Sequence, residues 1–350
     1  MAYEVDYIPV DGGEKSGDAI VLRFGNLNGQ RSEQSIVVID GGFKESGELL
    51  VEHISKYYGT DQVDFVISTH PDADHASGLL VILEKLKVGC LLIHKPWDHA
   101  ADIKNFFKNK SITVSGLEKS IEKSLQHASD LEDLAIKKNI PVYEPFQGLK
   151  LGGELIHVLG PSNDYYESLL PSFRSTPQPK AEFDILAQLK KAAGEAVNWI
   201  QDHIGIDLLN NDEDTTSPEN NSSTIILFTI GDHKLLFTGD AGKTALLNAT
   251  AYADSLGINL ADLRFLDVPH HGSKRNLNSK ILKRIKGGTA FVSASKDSEK
   301  HPAKKITNAL RKHGSSVFVT RGQALLHHDG SSNRGWPPAT PEPFHNLVEE

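Results

Sequence analysis

A single cysteine, Cys90, stands in 350 residues. An intramolecular disulfide is therefore excluded, and a reducing compartment fits. Long apolar runs are missing too: no stretch approaches the roughly 18 residues a spanning helix needs, so no membrane partner is expected. The opening MAYEVDYIPV lacks a basic start followed by an apolar run, so no secretory signal is expected, and the cytoplasm is the expected location. Net positive charge is lacking as well. The formal charge of −9 argues against non-specific coating of DNA or anionic membrane, yet it leaves room for a local basic patch. No internal repeat is present, which argues against a repeat architecture. What is there is a hydrophobic content of 39%, too high for a disordered chain and enough for a large core.

Short apolar runs alternate with turn signals in the first third. Val5–Val10, Ala19–Phe24 and Ser35–Ile39 read as strands and Gly47–Tyr58 as an amphipathic helix. Val63–Ser68 and Gly89–His94 read as strands either side of a helix at Gly78–Leu86. This order predicts a layered α/β protein. Asp102–Asn139 reads as helical, with Leu117, Ile121, Leu125, Leu131 and Leu134 at roughly helical spacing. Residues 162–221 read as an insertion or flap, with a helix at about Ala181–Ile204 and a mobile polar loop, NNDEDTTSPENNSS, from Asn210. Thr224–Ile230 and Lys234–Thr238 carry a hairpin signal. Beyond them, strands at Leu263–Val268, Ala290–Ala294 and Ser316–Thr320 alternate with helices. The expected layout is one domain over residues 1–328 holding that insertion, then an irregular Pro- and Gly-rich tail, 329–350.

The chemistry concentrates in His70-Pro71-Asp72-Ala73-Asp74-His75, where four potential ligands fall in six positions between a strand and a helix. A sharp turn there can aim imidazoles and carboxylates at one point, the mixture that divalent transition metals take. Two later strand ends add to it. Leu235–Thr238 runs into Gly239-Asp240, and Val268-Pro269 runs into His270-His271-Gly272-Ser273. A lone Gly–Asp is usually a turn and a lone histidine usually structural, but three such strand ends in one chain point to a metal site.

These segments resemble the metallo-β-lactamase superfamily, and most nearly the soluble hydrolase domain of ComEC-type DNA-uptake proteins. Gly17-Asp18-Ala19-Ile20, Val38-Ile39-Asp40-Gly41-Gly42, Asn220-Asn221-Ser222-Ser223 and His301-Pro302 are similar to further segments of that family, in order along the chain. The resemblance implies a four-layer αββα sandwich with two divalent metal ions, zinc or manganese, at one edge between the sheets. It implies that His70 and Asp72 bind one ion, that Asp74 and His75 bind the other, and that Asp240 bridges them. His270 or His271 completes the set, and the sequence does not choose. Asp40 would orient a ligand from behind, with Asp18 in a similar part. One departure stands out. Many members have histidine where Asp72 stands and a further mid-chain histidine ligand. His94, His99 and His157 are the candidates here, and none has the right surroundings.

Two such ions about 3.5–4 Å apart activate a water as hydroxide and polarise a phosphoryl or carbonyl oxygen. Asp74 or a nearby acid would handle protons, and His301 would contact substrate or leaving group. Ser273, Lys274 and Arg275 are candidate substrate contacts. With Lys280, Lys283, Arg284, Lys286, Lys304, Lys305, Arg311 and Lys312 they form a basic region in an acidic protein, read as a funnel toward a phosphodiester. The expected function is a phosphodiesterase or nuclease acting on nucleic acid or nucleotides. A lactone or thioester hydrolase and a metal-binding module of a multi-protein system are the alternatives, and protein partners or a homo-oligomer stay open.

Overall fold

The computed structural model describes residues 1–107, 111–174, 199–205, 207–209, 211–331 and 334–349. Two seven-stranded mixed sheets form its centre. Sheet one contains β1 (Ala2–Tyr7), β2 (Ala19–Gly25), β3 (Gln34–Gly41), β4 (Gln62–Ile67), β5 (Lys87–Leu92) and β6 (Val142–Tyr143) in chain order, with β15 (Leu325–Asp329) joining β1 at the edge. Sheet two has the order β14 (Ser316–Val319), β13 (Gly287–Val292), β12 (Leu263–Asp267), β11 (His233–Phe237), β10 (Ile225–Ile230), β8 (Ile156–Gly160), β7 (Lys150–Leu151). β9 (Trp199–Gln201) and β16 (Leu347–Glu349) pair separately.

Side chains alternate across a strand, so a sheet covered on both faces needs apolar residues at successive positions. β3 shows this. Val37 and Ile39 enter the core between the sheets, while Ile36 and Val38 face the helices. β10 divides likewise, Ile226, Phe228 and Ile230 inward and Ile225 and Leu227 outward. The inter-sheet core carries Tyr7, Phe228, Phe237, Phe265 and Phe291. The two outer cores seat Ala73–Lys85 and the neighbouring helices on one side and Lys243–Ser255 and Lys304–Lys312 on the other. The result is the α/β metallo-β-lactamase architecture, two mixed sheets flanked by helices. No helix among the described residues is long and apolar enough to cross a membrane.

Several elements differ from the sequence reading. Asp102–Asn139 is not one helix: Val114–Ser124 starts at Thr113, whose side chain accepts from the Gly116 N–H, and Leu125 at φ −112°, ψ 41° separates it from Gln126–Lys137. The helix expected at Ala181–Ile204 falls mostly outside the described residues, and its described part includes strand β9. The polar run from Asn211 folds against the strand ends. Ser217 caps the helix Pro218–Asn221, and Pro218–Thr224 are all buried. From Asp329 onward the chain carries strand β16, and Arg334 reaches back to Glu4 and Asp6 of β1.

Candidate metal centre

The centre is assembled where strands of both sheets run out. β4 ends at Ile67, Ser68–His70 continue it, and the helix Ala73–Lys85 begins after Asp72. The Asp72 carbonyl accepts from the N–H groups of His75 and Ala76 at 3.0 and 2.9 Å, so Asp74 and His75 lie in the first turn, where the helix dipole favours a carboxylate. Glycine permits the close approach this needs. A Cβ on Gly78 would lie 1.9 Å from the Gly41 carbonyl oxygen, and one on Gly17 would lie 2.2 Å from that of Asp74.

Asp40, at the end of β3, is wholly buried and adopts φ 53°, a left-handed strain of about 1–3 kcal/mol that the surroundings must hold. Its carboxylate accepts from the Thr69 N–H at 2.8 Å and hydroxyl at 2.6 Å, and meets His75 Nδ1 at 2.8 Å. The His75 Nδ1 proton therefore points at Asp40, and Nε2 is turned toward the centre. Because the Thr69 hydroxyl donates to Asp40, His70 Nδ1 donates to Thr69 Oγ1 at 3.0 Å, which frees His70 Nε2 as an acceptor. Asp18 stands behind His271 as Asp40 stands behind His75, 3.6 Å from His271 Nδ1.

Asp240 follows β11. Its Oδ1 lies 3.5 Å from His75 Nε2 and 3.7 Å from His271 Nε2. Its Oδ2 lies 3.8 Å from His70 Nε2 and 3.6 Å from His270 Nε2, and accepts from Asn220 Nδ2 at 2.9 Å. His270, His271 and Gly272 turn in succession through φ 52°, 54° and 74°. This turn sends the two imidazoles apart. His271 is buried among Asp18, Asp74, His75 and Asp240, whereas His270 Nδ1 faces Asn276 Oδ1 at 3.0 Å. His271 and not His270 thus joins Asp74 and His75 in a donor group whose atoms lie within 4.8 Å of one another, and Asp18, His75 and Asp240 make another.

The electrostatics follow from four buried or part-buried carboxylates, Asp18, Asp40, Asp74 and Asp240, with histidines as the cations. Burial alone lowers an imidazole pKa, but Asp240 and Asp18 hold His271 up at about 9, and Asp240, Asp40 and Asp18 hold His75 well above its ordinary value. His75 Nε2, His271 Nε2, His70 Nε2 and Asp240 Oδ1 are buried with no hydrogen-bond partner among the described residues. Native proteins rarely leave such atoms unpaired, and a nitrogen and oxygen set of this kind suits a divalent transition metal. The residues therefore fit the ion. His99, Asp102 and Glu167 also lie within 4.8 Å of one another, but both His99 nitrogens already meet carboxylates, Glu167 at 3.0 Å and Glu144 at 3.2 Å.

Other residues singled out from the sequence fall around this core. The His301 ring lies 5.6 and 5.8 Å from those of His270 and His271, and burial with the His271 charge pushes its pKa to about 3. Ser273 is buried at the end of the His–His turn, Lys274 is exposed, and the Arg275 charge acts on His301. Asp72 stands outside the donor groups because Arg174 Nη2 donates to both of its oxygens, at 2.7 and 2.8 Å. Part of the basic region is neutralised. Lys280 pairs with Asp212, Arg284 with Asp254 and Lys312 with Asp202. His94 is packed between Phe146 and Tyr166, and His157 sits on β8 beside Tyr252, so neither reaches the centre. A cleft of about 320 Å³ opens beside Asp74, lined by Lys15, Asp72, His127, Arg174 and Glu219. Sequence reasoning missed Thr69, Arg174, Glu219 and Asn276, none of which belongs to a short motif of metal-binding residue types.

The model of the metallo-beta-lactamase superfamily matches residues 30–296. No curated protein sequence matches the chain. Among solved structures, CmlA, a diiron beta-hydroxylase from Streptomyces venezuelae, is similar at 11% identity and a TM-score of 0.45, over 93% of this chain and 54% of that one. This chain thus spans about half of the hydroxylase. A metallo-beta-lactamase from Cronobacter sakazakii is similar at 8% identity and a TM-score of 0.32, over 74% of each chain.

Proposed function

The chain belongs to the metallo-β-lactamase superfamily, and from that premise we propose that it is a metal-dependent hydrolase of phosphodiesters, with nucleic acid or a nucleotide as substrate. The observation that carries the reading is the convergence of unpartnered donor atoms, His75 Nε2, His271 Nε2 and Asp240 Oδ1, next to Asp74 in a buried, acid-rich pocket. Bound there, a divalent ion supplies a Lewis acid and brings the pKa of a water near neutrality. The chain's own groups do the rest. Asp40 orients His75, and Asp18 stands behind His271. Asp74 is the carboxylate placed to take a proton. His301, kept neutral by burial, contacts the leaving group, and Ser273, Lys274 and Arg275 follow on the same turn.

Lys15 and Arg174 line the cleft beside Asp74. Three carboxylates, Asp72, Asp74 and Glu219, line it too, and two of them hold Arg174, so the preference for an anionic phosphodiester over a lactone or thioester rests on Lys15 and on an ion bound at the centre. The segments Gly17–Ile20, Val38–Gly42 and Val268–Ser273 support a ComEC-type hydrolase as the nearer likeness, and the lone Cys90 supports a cytoplasmic location.

Metal-stripped protein refilled with manganese or zinc is expected to cleave bis(p-nitrophenyl) phosphate and labelled single- or double-stranded DNA. The Asp74→Ala/His75→Ala variant is expected to lose that cleavage. Bound metal without cleavage of either phosphodiester, together with hydrolysis of a lactone or thioester, would turn the reading to acyl hydrolysis.

A further inference from the structure

The donor atoms of the centre are unevenly shared. On one side Asp74, His75 and His271 offer atoms within 4.8 Å of one another, with Asp240 Oδ1 3.5 and 3.7 Å from the two imidazole Nε2 atoms. On the other side His70 Nε2 and His270 Nε2 face Asp240 Oδ2 at 3.8 and 3.6 Å, but that oxygen is already bonded to Asn220, and His270 is drawn toward Asn276 by its Nδ1. The motif offers one more donor there, Asp72, and Arg174 has taken it.

Arg174 is held from two directions. Its Nη2 donates to both Asp72 oxygens, and its Nε and backbone N–H donate to Glu219 Oε1 at 3.1 and 2.5 Å. Glu219 is 1% exposed, and its Oε2 has no partner among the described residues. A buried carboxylate is costly unless a cation stays beside it, so Glu219 anchors the guanidinium in place. Arg174 Nη1 has no partner among the described residues, and the side chain lines the cleft beside Asp74. A guanidinium in that position presents donors in the planar geometry a phosphate group accepts.

We infer that the centre binds one divalent ion tightly, through Asp74, His75, Asp240 and His271, and that the Arg174 guanidinium takes the electrostatic place of a second ion beside Asp72. The inference rests on the metal-dependent reading above, but its test counts ions and needs no substrate. Metal-free protein is dialysed against micromolar manganese, the bound metal per chain is measured, and the electron paramagnetic resonance spectrum is recorded.

The wild type is expected to hold one ion per chain with the spectrum of an isolated manganese. Asp72→Asn is expected to leave both unchanged. Arg174→Gln, which leaves Asp72 and Glu219 without their internal cation, is expected to take up a second ion and to show a spin-coupled spectrum. Two ions in the wild type, falling to one in Asp72→Asn, would overturn the inference. So would a folded Arg174→Gln that stays at one ion. If Arg174→Gln does not fold, the Asp72→Asn count decides alone. A chain that binds no metal in any form would instead sink the metal-dependent reading beneath it.

Discussion

Two clusters of buried carboxylates and histidines lie in this molecule, and they are finished differently. At β1, Glu4 and Asp6 are 2% and 0% exposed. Arg23 and Arg334 both bond Glu4 Oε2, Arg334 spans Asp6 as well, and Tyr58 and His53 close the remaining side of Asp6. Two carboxylates meet two guanidiniums, and no buried side-chain atom of these six residues lacks a partner. At the metal centre, Asp18, Asp40, Asp74 and Asp240 gather with histidines and no guanidinium, and five buried atoms are left over, on His70, His75, Asp240 and, twice, His271. Burial, charge and residue type are similar in the two places. Satisfaction is what separates a brace from a site, because a buried polar atom without a partner costs about 1–3 kcal/mol, and several that converge on one point leave room for an ion to pair them all.

The sharpest way to break the comparison is to remove a carboxylate from the unfinished cluster. Asp240→Asn is expected to abolish metal-dependent hydrolysis, while the metal-free protein melts little lower than the wild type, since His75 and His271, once without that carboxylate, can give up their protons instead of staying buried as unmatched cations. A large fall in the melting temperature of the metal-free form would mean that Asp240 is a brace like Asp6. Next in size is Arg334→Ala, which strips the finished cluster. It leaves Glu4 and Asp6 buried beside one guanidinium and is expected to cost about 3–5 kcal/mol in urea unfolding, with turnover per folded molecule unchanged. The pKa of Asp6 is complementary. Burial would raise it, but His53 and Arg334 hold it below the ordinary carboxyl value, so its contribution is present above that value and is lost as the pH falls through the folded pKa.

Asp40 tests the border between the two kinds of cluster, because its partners are satisfied while the histidine it orients is not. Asp40→Ala is expected to weaken metal binding about 10- to 100-fold, read by calorimetric titration of metal into the stripped protein. An unchanged affinity would reduce Asp40 to packing. The smallest effect belongs to His94, whose two nitrogens are buried without partners and whose pKa burial pushes down to about 3. Folding keeps it neutral, whereas the unfolded chain takes up a proton below about 6.5. Stability therefore falls as pH drops from there toward 3, and His94→Phe should flatten that slope in melts run across the range.

Much of the fold was legible because the alternation that buries both faces of a strand is written in consecutive residues. The same holds for His70–His75, Gly239-Asp240 and Pro269–Ser273, where chemistry is packed into a few positions at a strand end. Arg174 was not legible. It sits 102 residues from Asp72, and nothing near it in the chain signals a partner. The run through Asn220 misled for a different reason. Its composition is that of a solvated loop, yet Ser217, Asn220 and Ser223 satisfy one another, the backbone and Asp240 at the mouth of sheet two. Composition reports what a segment could do in water, not which buried groups are waiting for it. The single helix expected over Asp102–Asn139 failed because two short helices in sequence can keep the same apolar spacing across a break at Leu125.

The pairing of β1 with β15, and the reach of Arg334 to Glu4 and Asp6, set an order of events on the ribosome. β1 is made long before its outer neighbour and Arg334, both encoded beyond the whole of sheet two. At ordinary elongation rates that interval is on the order of tens of seconds. Throughout it β1 has an open outer edge, and Glu4 and Asp6 have Arg23, His53 and Tyr58 to meet but not Arg334. An uncovered strand edge is a template for pairing with other chains, so the late arrival of β15 is what closes the first sheet to its neighbours.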